Sequence, residues 1–317
     1  MAANWMRRTV MVAACASAAL LAACGSSTTE SAITPARFIA FGDASSDVGQ
    51  NGSRYTVNDG SVNNWTLQVT ANYGKPLTPV SAGGLSYAVG NARIKAKPDA
   101  AGKAGTPTVT EQIDTFLASG SFAAQDVVIL SGGISDVIAG MAAVSAGTQT
   151  EAAMVAASLK AGEDMAAQVR RLVNAGAKYV MVTGTYDLSK TPWAKAIGRE
   201  ALLADASSRF NEGLLVGIVD LGANVLYVDL AYYVNLYTSV PANYGFNNAT
   251  AAVCTSVDPT NGIGIGAGQV NSALCTSGTL LAGADPIRYA FADPVYFTPV
   301  VNRLFGVYAY DQVRQRW

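Results

Sequence analysis

Phe38-Ile39-Ala40-Phe41-Gly42-Asp43-Ala44-Ser45-Ser46-Asp47-Val48-Gly49 is the stretch around which the chain is organised. The apolar run 38–41 predicts a short buried strand, and Gly42 breaks it into a polar turn carrying Asp43, Ser45, Ser46 and Asp47. A buried strand that stops in such a turn belongs to an open parallel sheet, where ligands sit beyond the carboxyl ends of the strands. The rest of the chain extends the pattern. Trp65, Val69 and Tyr73 recur at helical spacing and predict a helix over 64–73. Residues 83–92 read as a glycine-flanked short strand and turn, and 111–118 as a helix. The run 126–130 is continuously apolar after Asp126, as expected for a parallel strand covered on both faces. A long alanine-rich helix over 150–174 stops at Gly176, a residue suited to end a helix. A strand over 178–183, a helical run over 192–219, a strand over 225–229 and a closing helix over 298–314 complete the series. Strand–helix alternation of this kind predicts an α/β protein, a three-layer α/β/α sandwich with a central parallel sheet. No long linker and no internal repeat divides 36–317, which is expected to be one domain.

Composition narrows the function. The chain has 317 residues, half of them apolar, with 21 Lys+Arg against 22 Asp+Glu. A surface that binds nucleic acid needs a clustered basic excess, so no nucleic-acid partner is expected. Histidine is absent. That removes the usual general base near neutral pH and a common metal ligand, and no cofactor is expected.

The first block resembles the Phe-Gly-Asp-Ser-Leu-Ser-Asp motif of the GDSL lipase/esterase group of the SGNH hydrolases. Further blocks follow in order. Ser86-Tyr87-Ala88-Val89-Gly90-Asn91-Ala92 is similar to the second, and Leu130-Ser131-Gly132-Gly133-Ile134-Ser135-Asp136-Val137 to the third, normally Gly-x-Asn-Asp. The stretches 176–192 and 244–248 are similar to other recurrent segments. Asp293-Pro294-Val295-Tyr296-Phe297-Thr298-Pro299 looks like the fifth, Asp-x-x-His-Pro-Thr. Five blocks in the right order cover 36–317 and imply an SGNH-hydrolase-like fold.

Carried over position by position, the resemblance implies a degenerate site. The nucleophile position holds Ala44, which has no hydroxyl. The oxyanion glycine is Gly90, and the oxyanion asparagine is replaced by Ser135. Asp293 keeps the triad aspartate, while Tyr296 stands where histidine belongs, and a phenol with a reference pKa near 10 is a poor base at pH 7. The chain is therefore expected to be non-hydrolytic, with an acylated or glycan ligand in the former cleft. Two alternatives stay open: a weak ester hydrolase using Ser45, Ser46 or Ser135, and a structural interaction protein of the envelope. Lys95 and Lys190 are the nominal partners for a Ser–Lys pair, with no spacing to support either. Asp43 and Asp47 are expected to hold the first turn, Asp136 to order the third-block loop, and Asp293 and Tyr296 to bond each other or water. A cation held by Asp43, Asp47, Asp136 and Asp293 is not expected. Tyr227, Tyr232, Tyr233 and Tyr237 could line a carbohydrate groove, but packing is the expected use.

The ends carry their own signals. Arg7 and Arg8 precede an apolar stretch of about 15 residues, short of the roughly 20 that span a bilayer. It closes in Leu21-Ala22-Ala23-Cys24-Gly25, which resembles the lipobox of bacterial lipoproteins. Residues 1–23 are then a signal peptide and 24–35 a tether behind a lipidated Cys24. The implied partner is the membrane and the implied location the cell envelope, with the outer membrane favoured because no aspartate follows Cys24. The alternative is an ordinary cleaved secretory peptide. Cys15 leaves with the leader. Cys254 and Cys275 remain in an exported protein, where a disulfide persists; the alternative is two free thiols.

Overall fold

A computed structural model describes residues 33–317. The leader, Cys24 and residues 24–32 of the tether lie outside the described residues.

Four parallel strands form the central sheet in the order β1 (Arg37–Phe41), β2 (Asp126–Ser131), β3 (Tyr179–Thr183) and β4 (Val225–Tyr227). Between them run α1 (Trp65–Asn72), α2 (Val109–Ser119), α3 (Ile134–Ser145), α4 (Glu151–Asn174), α5 (Pro192–Ile197) and α6 (Glu200–Ile218). After the sheet come α7 (Leu230–Ser239), the short strands β5 (Asn248–Ala252), β6 (Val257–Asp258), β7 (Gln269–Val270) and β8 (Tyr289–Phe291), and α8 (Pro299–Arg316).

Strand residues alternate between two covered faces, which makes the α/β layering visible residue by residue. Phe38, Ala40, Val127, Ile129 and Met181 pack with Trp65 and Val69 of α1, Phe305 and Ala309 of α8 and the first turns of α3. Ile39, Phe41, Val128, Leu130, Val180 and Val182 pack with Ile113 of α2, Val169 of α4 and Leu214 of α6. Every residue of β2 is buried, in keeping with its unbroken apolar reading.

Several sequence expectations are corrected. Residues 83–92 do not form a strand: Ser86 makes only isolated bridges to Ala40 and Pro79, while Tyr87 N–H donates to the Ala40 carbonyl at 2.7 Å. The glycines that flank the segment let it lie along β1 without extending the sheet. The helical run 192–219 breaks at Gly198, whose left-handed backbone (φ 62°) ends α5 before α6 begins. The strand at 225–229 stops at Tyr227, because Asp229 turns to cap α7 by accepting the N–H of Tyr232. Helices α3 and α7 had no sequence prediction. Cys254 and Cys275 form a disulfide. It staples the loop that carries β6 and β7, which pair antiparallel, to the segment that pairs with β8.

The pair α4 and α6 meets backbone to backbone. A Cβ on Gly162 would overlap the carbonyl oxygen of Phe210, and one on Gly213 the carbonyl of Leu159. Neither obstacle is the movable end of a side chain, so the helices must separate. Gly162→Ala and Gly213→Ala are each expected to lower unfolding stability by about 1–3 kcal/mol, the usual range for overpacking. The double variant should lose less than the sum, because the first substitution already parts the helices. Denaturant unfolding of the four proteins checks both statements.

Candidate functional site

The site is built where β1 and β2 end. Gly42 leaves β1 with its backbone clamped by one side chain: its N–H donates to Gln112 Oε1 at 2.8 Å, and Gln112 Nε2 donates to its carbonyl at 2.9 Å. A Cβ on Gly42 would lie 2.6 Å from Ser131 Oγ, so the turn passes directly against the end of β2. Asp43 follows, fully buried, with Oδ1 accepting the N–H of Ser45 at 3.0 Å and its hydroxyl at 2.8 Å. Its carboxylate also faces the N–H groups of Ile134 and Ser135 at the start of α3. Burial nonetheless pushes the Asp43 carboxyl up, outweighing those donors. Ala44 packs in the apolar core, and Ser46 Oγ lies 2.6 Å from Ser131 Oγ.

Asp47 closes the turn. Oδ1 accepts the N–H groups of Gly49 and Gln50, both at 2.8 Å, and Oδ2 accepts that of Gly90 at 2.9 Å. The N–H that the family resemblance assigns to an oxyanion is therefore bonded to a carboxylate. Tyr55 lies against the same glycine so closely that a Cβ there would overlap its phenol oxygen.

Ser135 is reached through Gly133, whose positive φ of 105° and contact with the Phe210 ring admit no side chain. Ser135 is buried in the first turn of α3, and its Oγ makes no hydrogen bond among the described residues. Its neighbour Asp136 accepts Ile94 N–H at 3.0 Å and the Arg93 Nε at 3.3 Å. Asp293 Oδ1 accepts the N–H groups of Val295 at 2.8 Å and Tyr296 at 2.6 Å, and Oδ2 that of Ser272 at 2.9 Å. So Asp293 holds the Tyr296 backbone, not its phenol. The Tyr296 ring packs edge-on against Tyr55 with centroids 5.2 Å apart, and its hydroxyl has no hydrogen-bond partner among the described residues. Burial raises that phenol well above its ordinary value, with the nearby Asp43 carboxylate adding to the effect.

Ser45, Tyr55, Ile134, Tyr186 and Tyr296 line one small cavity whose volume, about 20 Å³, suits a single water. Through it Ser45 of the β1 turn, Ile134 at the start of α3 and Tyr296 of the 293–297 turn meet; around it Asp43, next to Ala44, faces the Ser135 N–H and lies near Tyr296, as does Asp293, and Gly90 lies against Tyr55. Lys190 is elsewhere, 3.8 Å from Asp187, and Lys95 lines a separate cavity. The four tyrosines do not share a groove. Tyr227 packs on the face of α4 and α6, whereas Tyr233 stacks on Tyr308 at 4.4 Å and meets Tyr237 edge-on at 4.8 Å. Tyr55, Gln112 and Tyr186 were not anticipated as site residues; Tyr55 and Gln112 carry no local motif, and Tyr186 sits in the recurrent stretch 176–192 without an assigned role.

A family model described as GDSL-like Lipase/Acylhydrolase matches residues 38–306. The chain is also similar to a Pseudomonas putida protein described as an uncharacterized protein in the trpE-trpG intergenic region, 26% identical over 307 residues. That match covers 88% of this chain and 48% of the relative, so the chain spans about half the relative's length.

The electrostatics of the rim give a measurable pH dependence. Burial pushes the Asp136 carboxyl up to about 6, against the opposing pull of Arg93 and the Ile94 N–H. Between its ordinary value near 4 and about 6 the folded protein binds the proton more tightly than the unfolded chain, so stability falls as pH rises through that window. Unfolding measured from pH 4 to 7 should be less pH-dependent in Asp136→Asn than in the wild type, the difference amounting to about 1–3 kcal/mol. Identical slopes would show that the folded protein binds the Asp136 proton no more tightly than the unfolded chain does.

Proposed function

We propose that this chain, which belongs to the GDSL-like lipase/acylhydrolase family, is an exported, lipid-anchored member that does not hydrolyse esters. The observation that carries this reading is the buried Tyr296. A phenol raised above its ordinary value cannot take a proton at neutral pH, and the ring fills space that a substrate would need. Other features support it. Ala44 offers no nucleophile, the whole chain contains no histidine, and the Gly90 N–H is held by Asp47. Loss of one oxyanion donor alone costs about 10²–10³ in rate. A cavity the size of a water favours an idle former cleft, and an interaction role for the protein, over an acyl or glycan ligand seated there.

One contact favours a second reading, a weak serine hydrolase. Ser45 is only partly buried, lines the small cavity and donates to Asp43 at 2.8 Å, and Asp43 is a carboxylate whose basicity burial has raised. The two readings separate on one set of measurements. The non-hydrolytic reading expects no turnover of p-nitrophenyl butyrate above a heat-treated control and no serine labelled by a fluorophosphonate. Labelling at Ser45 would establish the second reading instead. The triple change Ala44→Ser, Ser135→Asn and Tyr296→His is expected to create measurable esterase activity, with the single changes near background, because such a set acts as a unit.

Lipid anchoring rests on the lipobox-like Leu21-Ala22-Ala23-Cys24. In bacteria fed an alkyne-tagged palmitate, the full-length chain should take up label and Cys24→Ser should take up none. Equal labelling of both would place the acyl group elsewhere.

A further inference from the structure

A cavity of about 390 Å³ opens between α3, α4 and the segment 93–96, and shares no lining residue with the small aromatic cavity at the former reaction centre. Its size falls at the small-ligand end of the range for binding pockets, roughly 300–1,000 Å³. The floor is aliphatic: Ala139 and Ala143 of α3 face Ala157, Ala161 and Met154 of α4.

The charges at its mouth are unequal. Lys160 is neutralised on its own helix, with Asp164 at 2.6 Å and Glu163 at 3.6 Å. Arg93 is held loosely, by Asp136 at 3.3 Å through Nε and by the Pro98 carbonyl at 3.4 Å through Nη1, and so keeps donors to spare. Lys95 is exposed and has no carboxylate partner among the described residues. The lining thus carries three cations, Arg93, Lys95 and Lys160, against two carboxylates, Asp136 and Asp164, which leaves Lys95 uncompensated beside an Arg93 guanidinium with donors to spare, above an apolar floor.

That combination selects an amphipathic monoanion. A guanidinium fork accepts a carboxylate in a plane, and a lysine adds a mobile point charge. A phosphate dianion would need a second unpaired cation, and a sugar would need free polar groups on the floor, where the Ser158 hydroxyl already donates to the Met154 carbonyl. We propose that this cavity binds a medium-chain alkyl carboxylate, with the carboxylate between Arg93 and Lys95 and the alkyl chain on the alanine and methionine floor. The inference is independent of the chemistry of the former cleft, whose fate it neither needs nor alters.

The test is calorimetric titration of the full chain with octanoate, with octanol and octyltrimethylammonium as probes of the same tail. Saturable binding of octanoate is expected, at least tenfold tighter than octanol, with none of the cationic probe. Lys95→Glu should weaken octanoate binding at least tenfold, and Ala157→Phe should abolish it by filling the cavity. Both positions are exposed, so unchanged thermal unfolding of the two variants will show that the fold is intact. Absence of saturable octanoate binding, equal affinity for octanol, or full affinity in both variants overturns the assignment. The esterase-restoring triple variant should bind octanoate as the parent does, which keeps this result separate from the fate of the cleft.

Discussion

A carboxylate taken out of water must find hydrogen-bond donors, and at the carboxyl end of this sheet the donors are backbone N–H groups of neighbouring loops. Asp47 joins the first turn to Gly90, Asp136 joins the start of α3 to Ile94, and Asp293 joins its own turn to Ser272 in the disulfide loop. Each carboxylate is buried, and leaving a buried ion without such partners costs several kcal/mol. The bonds therefore fix where each loop lies relative to the others. The geometry of the candidate site follows from this lattice of acceptors more than from the side chains at the motif positions.

That division lets the side chains at the motif positions vary while the scaffold persists. Ala44 has no polar group to satisfy and joins the apolar core beneath the turn. The Tyr296 ring finds Tyr55 as an aromatic neighbour, while its backbone keeps the hydrogen bond to Asp293. Several polar atoms are nevertheless left over in this neighbourhood: Asp43 Oδ2, Ser135 Oγ, the Tyr296 hydroxyl and Trp65 Nε1 each lack a full hydrogen bond among the described residues. Buried polar atoms are rarely left so. Of these residues Trp65 and Tyr296 line the small cavity, which has room for one water that the Tyr296 hydroxyl could bond.

Much of the layout was legible in the sequence, for identifiable reasons. A strand covered on both faces must be apolar at successive positions, so β1, β2 and β3 announce themselves as short continuous runs. The long helix α4 declares itself through its periodicity and its stop. What escaped were elements whose local pattern is ambiguous. Helix α3 begins inside a glycine- and serine-rich turn, and its apolar character surrounds it on nearly all sides, so periodicity had little contrast to show. Helix α7 follows β4 after only two residues, and its cap, Asp229, also reads as the end of a strand. The segment 83–92 has the composition of a strand but bonds to β1 at too few points to be one.

The site was legible only where it is written in short motifs. Ala44, Ser135, Asp293 and Tyr296 could be located because each sits in a block with fixed neighbours. Gln112 clamps Gly42 from 70 residues away, and Tyr55 covers Gly90 from a loop without any motif. Such contacts are created by the fold and leave no trace in local sequence. They also change what the motif residues can do. Gly90 read alone is a vacant oxyanion donor, yet with Asp47 as acceptor and Tyr55 against its Cα it becomes a structural glycine. Replacing the three reactive residues thus leaves one donor engaged elsewhere, so restored chemistry would draw on the new asparagine and the backbone at position 44. The activity of a restored site is therefore bounded by this hydrogen bond, because the Asp47–Gly90 contact also holds the turn on which the nucleophile would stand.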